Sequence, residues 1–225
     1  MSSDHESRFT DHVPPPCKEE VVVHYVDDDI LVVDKPAGLL SVPGRFVKDS
    51  VLHRMMFDYP DAVIVHRLDL DTSGLLVLAL SKSAVKDLNR QFRDRVVEKK
   101  YLADVWGHLS VVQGQIDLPI RPDPDNRPRQ MVDHESGKAA STLFEVVEHG
   151  HQRTRLKLRP ITGRSHQLRI HLASISHPIL GCDLYAHKQA FKAADRLMLH
   201  ANYLAFSHPL TAEPIEFYST GMLGH

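Results

Sequence analysis

The strongest constraint on the fold is a pair of short apolar runs separated by a dense polar segment. Ala62-Val63-Ile64-Val65 leads into HRLDLDTSG (66–74), and Leu75-Leu76-Val77-Leu78-Ala79 leads out of it. Apolar runs of this length, bounded by Gly, Asp and Ser, suit strands and are too short for helices. The chain is therefore committed to a sheet with a polar corner holding His66, Arg67, Asp69, Asp71, Thr72 and Ser73. That corner has two readings. An aspartate between two strands ordinarily hydrogen-bonds its own backbone in a turn. The same placement also leaves a carboxylate little positional freedom, as a nucleophile or base requires.

The rest of the chain continues the strand pattern. Residues 20–26 (EVVVHYV), the acidic turn Asp27-Asp28-Asp29 and residues 30–34 (ILVVD) predict a hairpin. Lys35-Pro36-Ala37-Gly38 ends its second strand, because Pro cannot continue a ladder and Gly permits a sharp turn. A short helix is expected over 49–59, stopped by Pro60, then strands around 62–66 and 74–80. Ser81 or Ser83 caps a helix with Val85, Leu88 and Phe92 on its apolar face. Tyr101 to Trp106 reads as a strand, and RPDPDNRPRQ (121–130), with three prolines, as a loop. A second hairpin covers 142–147 and 154–159, with Leu156 and Leu158 inward and Thr154, Arg155, Lys157 and Arg159 outward. A helix over 165–175 follows Thr162-Gly163, and strands near 197–206 and 214–218 complete the pattern. Strands dominate and come in hairpins, which predicts an α+β fold on a mixed, largely antiparallel sheet. Residues 1–19, acidic and carrying Pro14-Pro15-Pro16, read as a flexible tail, and residues 20–225 as one domain without repeat or linker.

No apolar stretch approaches the roughly 18–20 residues of a membrane span, and the first residues lack the basic and apolar regions of a secretory signal. Cys17 and Cys182 form no CxxC pair, so reduced thiols in the cytoplasm are expected. The net charge of −2 argues against a generic polyanion binder, but it is unevenly spread. Residues 1–34 carry −7, which leaves +5 on the rest. Lys82, Lys86, Arg90, Arg93, Arg95, Lys99 and Lys100 crowd positions 82–100. Arg153, Arg155, Lys157, Arg159, Arg164 and Arg169 crowd 150–171, where there is no acid at all. Such a run is commonly a solvated face; without counter-charges it also suits a visiting phosphate backbone.

The second dense site is PITGRSHQLRIH (160–171). Gly163 permits a tight turn into a helix whose first amides suit an anion, and Arg164 and Arg169 are donors for phosphate or carboxylate. His166 and His171 stand five apart with no Cys or Glu, a poor ligand set, and no metal is expected. Asp71-Thr72-Ser73 resembles an aspartic protease motif only loosely: its third residue is not Gly, and no second such segment exists.

Six segments occur together and in order: VVDKPAGLLSVPG (32–44), HRLDLDTSG (66–74), RQFRDRVVEKKY (90–101), PITGRSHQLRIH (160–171), HPILGCDLY (177–185) and RLMLHA (196–201). In this the chain resembles the RluA family of pseudouridine synthases, in its short form without an appended S4 RNA-binding domain. The resemblance covers nearly everything after about residue 20. It implies the pseudouridine synthase fold and an RNA-modifying isomerase that needs no cofactor. It also implies roles. Asp69 would be the catalytic carboxylate, Tyr101 the aromatic packed against the target base, and Arg169 the partner of that carboxylate. Arg67 would help expel the base, and Arg164 and His66 would serve the RNA side of the site. The substrates implied are a uridine in 23S rRNA and one in the tRNA anticodon stem-loop, acted on by a cytoplasmic monomer without membrane contact. A single-substrate synthase, a non-catalytic RNA-binding protein, a hydrolytic nucleoside glycosylase and a metal-dependent hydrolase are the competing readings.

Overall fold

The structure is a computed structural model that describes residues 13–221. In chain order its elements are β1 (Val22–Val26), β2 (Ile30–Lys35), α1 (Val51–Met55), β3 (Val63–Ile64), β4 (Ser73–Ala79) and α2 (Lys82–Arg93). There follow β5 (Glu98–Trp106), β6 (Gln113–Asp117), β7 (Ile120–Pro122), β8 (Gln130–Val132), β9 (Ser141–Gly150) and β10 (Arg153–Pro160). Helices α3 (Gln167–Ser174) and α4 (Lys188–Lys192) and strands β11 (Leu199–Ser207) and β12 (Pro214–Tyr218) complete it. By contact the chain gathers into two compact units. Among the described residues, one is 100–199 and the other joins 13–99 with 200–221. The chain passes between them inside β5 and at the start of β11, not through Pro- or Gly-rich linkers.

In the unit that includes Lys99 and His200, the strands run β1-β2-β4-β11, with β3 also on β4 and β12 on β11. The expected first hairpin is present, turned by Asp27, whose carboxylate accepts the amide protons of Asp29 and Ile30 at 2.8 Å each. β4 is antiparallel to β2 and parallel to β11, so the sheet is mixed as expected. Gly74 makes the parallel contact possible: its φ is +115°, and a Cβ there would overlap the backbone of Ala201. Ile30, Val32, Leu75, Val77 and Ala79 form the core with Ala84 and Leu88 of α2 and with Leu204 and Phe206 of β11. Ser81 is the α2 cap, accepting from the Ala84 amide at 3.1 Å. Ala84, Leu88 and Gln91 are the buried residues of α2, and the expected Val85 and Phe92 flank them, half-buried and packed against the same core. Gln91 is buried because its amide bonds the Ser207 carbonyl at 2.7 Å and accepts from the Ser207 N–H at 3.0 Å. Most of the acidic tail expected over 1–19 lies outside the described residues. At 17–19 the chain is tied down, with Arg54 donating to the carbonyls of Cys17 and Glu19 at 2.6 Å each.

In the unit Lys100–Leu199 the strands run β5-β10-β9-β6, all antiparallel, with β7-β8 as a separate small hairpin. Ala103, Val105, Leu156 and Leu158 pack with Leu168 and Leu172 of α3. Two local expectations are corrected. Thr154 faces inward with Leu156 and Leu158, because two-residue periodicity puts all three on one face; its hydroxyl bonds the Gly107 carbonyl at 2.8 Å. The proline-rich 121–130 segment is a loop only in its middle, since its ends pair as β7 and β8; Pro122 is tolerated as the last residue of its strand. β6 carries no strand signal in its sequence, for only Ile116 of QGQID is buried and the segment has no apolar periodicity. The five-residue α4 is too short to show a helical period in the sequence.

Candidate active site

Asp69 lies one residue past a buried leucine whose peptide groups are both held. The Leu68 N–H donates to the Ser41 hydroxyl at 3.1 Å, and that hydroxyl donates to the Leu68 carbonyl at 2.8 Å. On the other side, the Leu70 carbonyl accepts from Lys35 Nζ at 2.8 Å and from the Gly38 N–H at 3.0 Å. The Thr72 N–H closes the turn on the Asp69 carbonyl at 3.2 Å. Between these fixings the Asp69 side chain is only half-buried. Asp69 thus occupies a turn, and that turn is immobilised from both sides.

Lys35 is the most unusual group here. It is fully buried, and its ammonium reaches three carbonyls: Pro36 at 2.9 Å, Leu39 at 2.7 Å and Leu70 at 2.8 Å. Three acceptors match the three donors of an ammonium. Burial pulls its pKa down to about 7, against the opposing pull of nearby carboxylates, chiefly Asp71. The sequence placed Lys35 only as the residue before a strand-ending proline. Nothing in the pattern marked it, or Ser41, as a brace of the HRLD segment.

The other candidates in this segment take different positions. His66 is stacked on Phe92, centroids 4.4 Å apart, and its Nε2 accepts the Val77 amide proton at 3.0 Å, so the proton of the neutral ring is on Nδ1. Burial, reinforced by the charge of Lys99, holds its pKa down to about 3. His66 thus joins the corner to β4 as a neutral acceptor. Arg67 is exposed and Leu68 is buried, the alternation expected of an extended chain. Ser73, at the end of the segment, meets His200 Nδ1 at 2.9 Å, and His200 Nε2 meets the Ser219 hydroxyl at 2.8 Å.

Tyr101, Arg164 and Arg169 belong to the unit Lys100–Leu199, and His66, Arg67 and Asp69 to the other. Tyr101 stands opposite Leu158 in the β5–β10 ladder and packs against the core cluster that includes Leu168 and Leu172. The turn entering α3 is built around buried Gln167. Its carbonyl oxygen accepts from the Thr162 hydroxyl at 2.7 Å and the Arg164 N–H at 3.0 Å, and its amide reaches the Ser141 carbonyl at 2.9 Å and Thr142 at 3.0 Å. Arg164 points its Nε to the Ala139 carbonyl at 3.2 Å. Arg169 is buried: it donates to Asp183 at 2.5 Å and to Cys182 Sγ at 3.4 Å, with its guanidinium 5.5 Å from the Tyr185 ring centre. A guanidinium so held is oriented by neighbours rather than by its own flexible stem. Both ring nitrogens of His171 are engaged, by Thr142 and by the Leu118 carbonyl, each at 3.0 Å.

The acid-free run 150–171 acquires counter-charges from neighbouring strands. Asp104 of β5, itself buried, accepts from Arg153 at 2.6 Å and from Arg155 at 2.8 and 3.0 Å, and Glu148 of β9 lies 3.2 Å from Arg153. Lys157 and Arg159 are exposed, on the face of β10 opposite Leu156 and Leu158.

Residues 29–174, which hold both dense sites, match the family described as RNA pseudouridylate synthase. The dual-specificity RNA pseudouridine synthase RluA of Escherichia coli K12 is 52% identical over 206 residues, covering 90% of this chain and 94% of that protein. RluA of Yersinia pestis is 52% identical over 200 residues, covering 88% and 97%. Among solved structures, human RNA pseudouridylate synthase domain containing 1 superposes with a TM-score of 0.79 at 30% identity, over 92% of this chain and 86% of that one. Human RNA pseudouridylate synthase domain containing 4, at 23% identity and a TM-score of 0.68, shares the fold over 90% of each chain. A family match spanning both dense sites, together with relatives this similar over almost their whole length, means that the chain belongs to the RNA pseudouridylate synthases, isomerases that turn uridine in RNA into pseudouridine.

Proposed function

We propose that this synthase has dual specificity, acting on a uridine of 23S rRNA and on one in the tRNA anticodon stem-loop, with Asp69 as its catalytic carboxylate. The observation that carries the assignment of Asp69 is the bracing of its turn: Ser41 holds the residue before it, and Lys35 and Gly38 the residue after it. A carboxylate that must meet one atom of a sugar gains from such fixed geometry, because small misplacements are costly in rate. Dual specificity is supported by the printed name of the RluA relatives at about half identity.

The reaction explains the residue types. The N1–C1′ bond breaks, the uracil turns, C5 joins C1′, and the C5 proton is lost while N1 regains one. Nothing is oxidised or consumed, so the stoichiometry calls for no redox or nucleotide cofactor. Asp69 serves either by attacking C1′ or by taking the 2′ proton. The target base must leave its stack, at a cost of a few kcal/mol. Arg67, exposed beside Asp69 in sequence, is suited to fill the vacated place, and Tyr101 offers an aromatic surface for the base. Arg169 is assigned as the guanidinium partner of the carboxylate, and Arg164 as an RNA-side contact. Two unpaired thiols suit a reducing cytoplasm, where both RNAs reside, and a monomer suffices because one chain supplies every role named.

The test is tritium release from both RNAs labelled at uridine C5, beside Asp69→Asn. Release from each by the wild type and from neither by the variant is the expected result. Release from only one RNA would reduce the enzyme to a single-substrate synthase. Appearance of free uracil would identify a glycosylase, and release by the variant would remove Asp69 from the chemistry.

A further inference from the structure

We infer that Ser41 is a positioning residue for the reaction, setting the place of Asp69 through the peptide groups of Leu68; this rests on the reading of Asp69 as the catalytic carboxylate.

The case is a chain of fixings that begins outside the polar corner. Helix α1 presents its first amides, which have no partners within the helix. The Val51 N–H donates to the Leu40 carbonyl at 2.8 Å and the Leu52 N–H to the Ser41 carbonyl at 3.2 Å. Ser50 caps the helix from the other side, accepting from the His53 N–H at 3.1 Å. The backbone at Leu40 and Ser41 is thereby set by α1. The Ser41 side chain, 4% exposed, then grips Leu68 twice, as acceptor for its N–H and as donor to its carbonyl. One hydroxyl thus stands in for both backbone partners of a residue that lies between strands, since β3 ends at Ile64 and β4 starts at Ser73. The Leu68 carbonyl belongs to the peptide unit whose nitrogen is that of Asp69. Holding it limits rotation of that unit, and with it the direction in which the Asp69 Cα–Cβ bond leaves the chain. Leu68 itself is buried, so side-chain packing and the hydroxyl act on the same residue.

An alternative role is plain stability, since any buried serine satisfying two peptide groups contributes to the fold. The two roles separate in kinetics. A positioning residue alters the rate of the bound complex; a merely structural one alters only the fraction of folded protein. The experiment compares wild type, Ser41→Ala, Ser41→Thr, Asp69→Asn and the core variant Phe206→Leu. Each is assayed by single-turnover tritium release at saturating anticodon stem-loop RNA, well below the melting temperature, with RNA affinity and melting temperature measured alongside.

For Ser41→Ala the expected result is a single-turnover rate lowered by about ten- to a hundredfold, with RNA affinity within about twofold of wild type. Ser41→Thr, which keeps the hydroxyl, recovers most of that rate, and Phe206→Leu keeps the wild-type rate despite a lowered melting temperature. A wild-type rate in Ser41→Ala, or equal losses in Ser41→Ala and Phe206→Leu, would overturn the inference and leave the assignment of Asp69 standing. Activity in Asp69→Asn would overturn that assignment, and the positioning role with it.

Discussion

His66 shows how a single ionisable residue in the HRLD segment is used without its charge. It accepts a backbone proton from Val77 and lies flat on Phe92, roles that only the neutral ring can perform together. Its pKa of about 3, against an ordinary 6.5, means that between those pH values the unfolded chain holds a proton that the folded protein does not. Stability therefore rises with pH across that window and is lost as the pH falls through it. We expect urea denaturation between pH 6.5 and 4 to show a shallower acid loss in His66→Phe than in wild type; equal slopes would show that the ring does not titrate as described. The identity of such residues was legible in the sequence, since HRLDLDTSG is dense and unusual. Their division of labour was not, because which of His66, Arg67 and Asp69 faces the interior depends on Ser41, Lys35 and Phe92, all distant in the chain.

Element boundaries depend on similar single contacts. The α2 start had two candidate caps in the sequence, and the structure selects Ser81, which accepts from Ala84 and donates to the buried Asp29 at 2.5 Å. Ser81→Ala should cost about 1–2 kcal/mol in chemical denaturation, at the upper end of cap losses because Asp29 loses a donor too. Ser83→Ala, at an exposed position, should stay within about 0.5 kcal/mol; the reverse order would misplace the cap. Hairpins with strict alternation, such as β9–β10, were readable from period alone. Strands that are polar and nearly unburied, such as β6, were not, because their pairing with a neighbour rather than their own composition makes them strands.

At the scale of the whole molecule, charge is the quantity that sequence counting misjudges. Arg153, Arg155 and Arg169 already have carboxylate partners, and Lys157 and Arg159 occupy the face of β10 opposite Leu158, which pairs with Tyr101. The double variant Lys157→Gln/Arg159→Gln should therefore leave RNA affinity within about twofold and the salt dependence of binding unchanged. If both residues touched phosphates, the slope of log affinity against log salt would shrink by roughly 0.7–0.9 for each.

The sequence by itself determined the strand-rich mixed fold, the hairpins at 20–34 and 142–159, and the motif set that marks a pseudouridine synthase. These follow from local periodicity and from short segments whose order survives without any knowledge of contacts. Only the tertiary structure decided that Lys35 and Ser41 brace the Asp69 turn, that Gly74 lets β4 lie against β11, and that the acid-free basic run has its counter-charges on β5 and β9. Each of those is a contact between residues far apart in the chain. Burial and pairing are properties of such contacts, and a linear pattern records only the residues that make them.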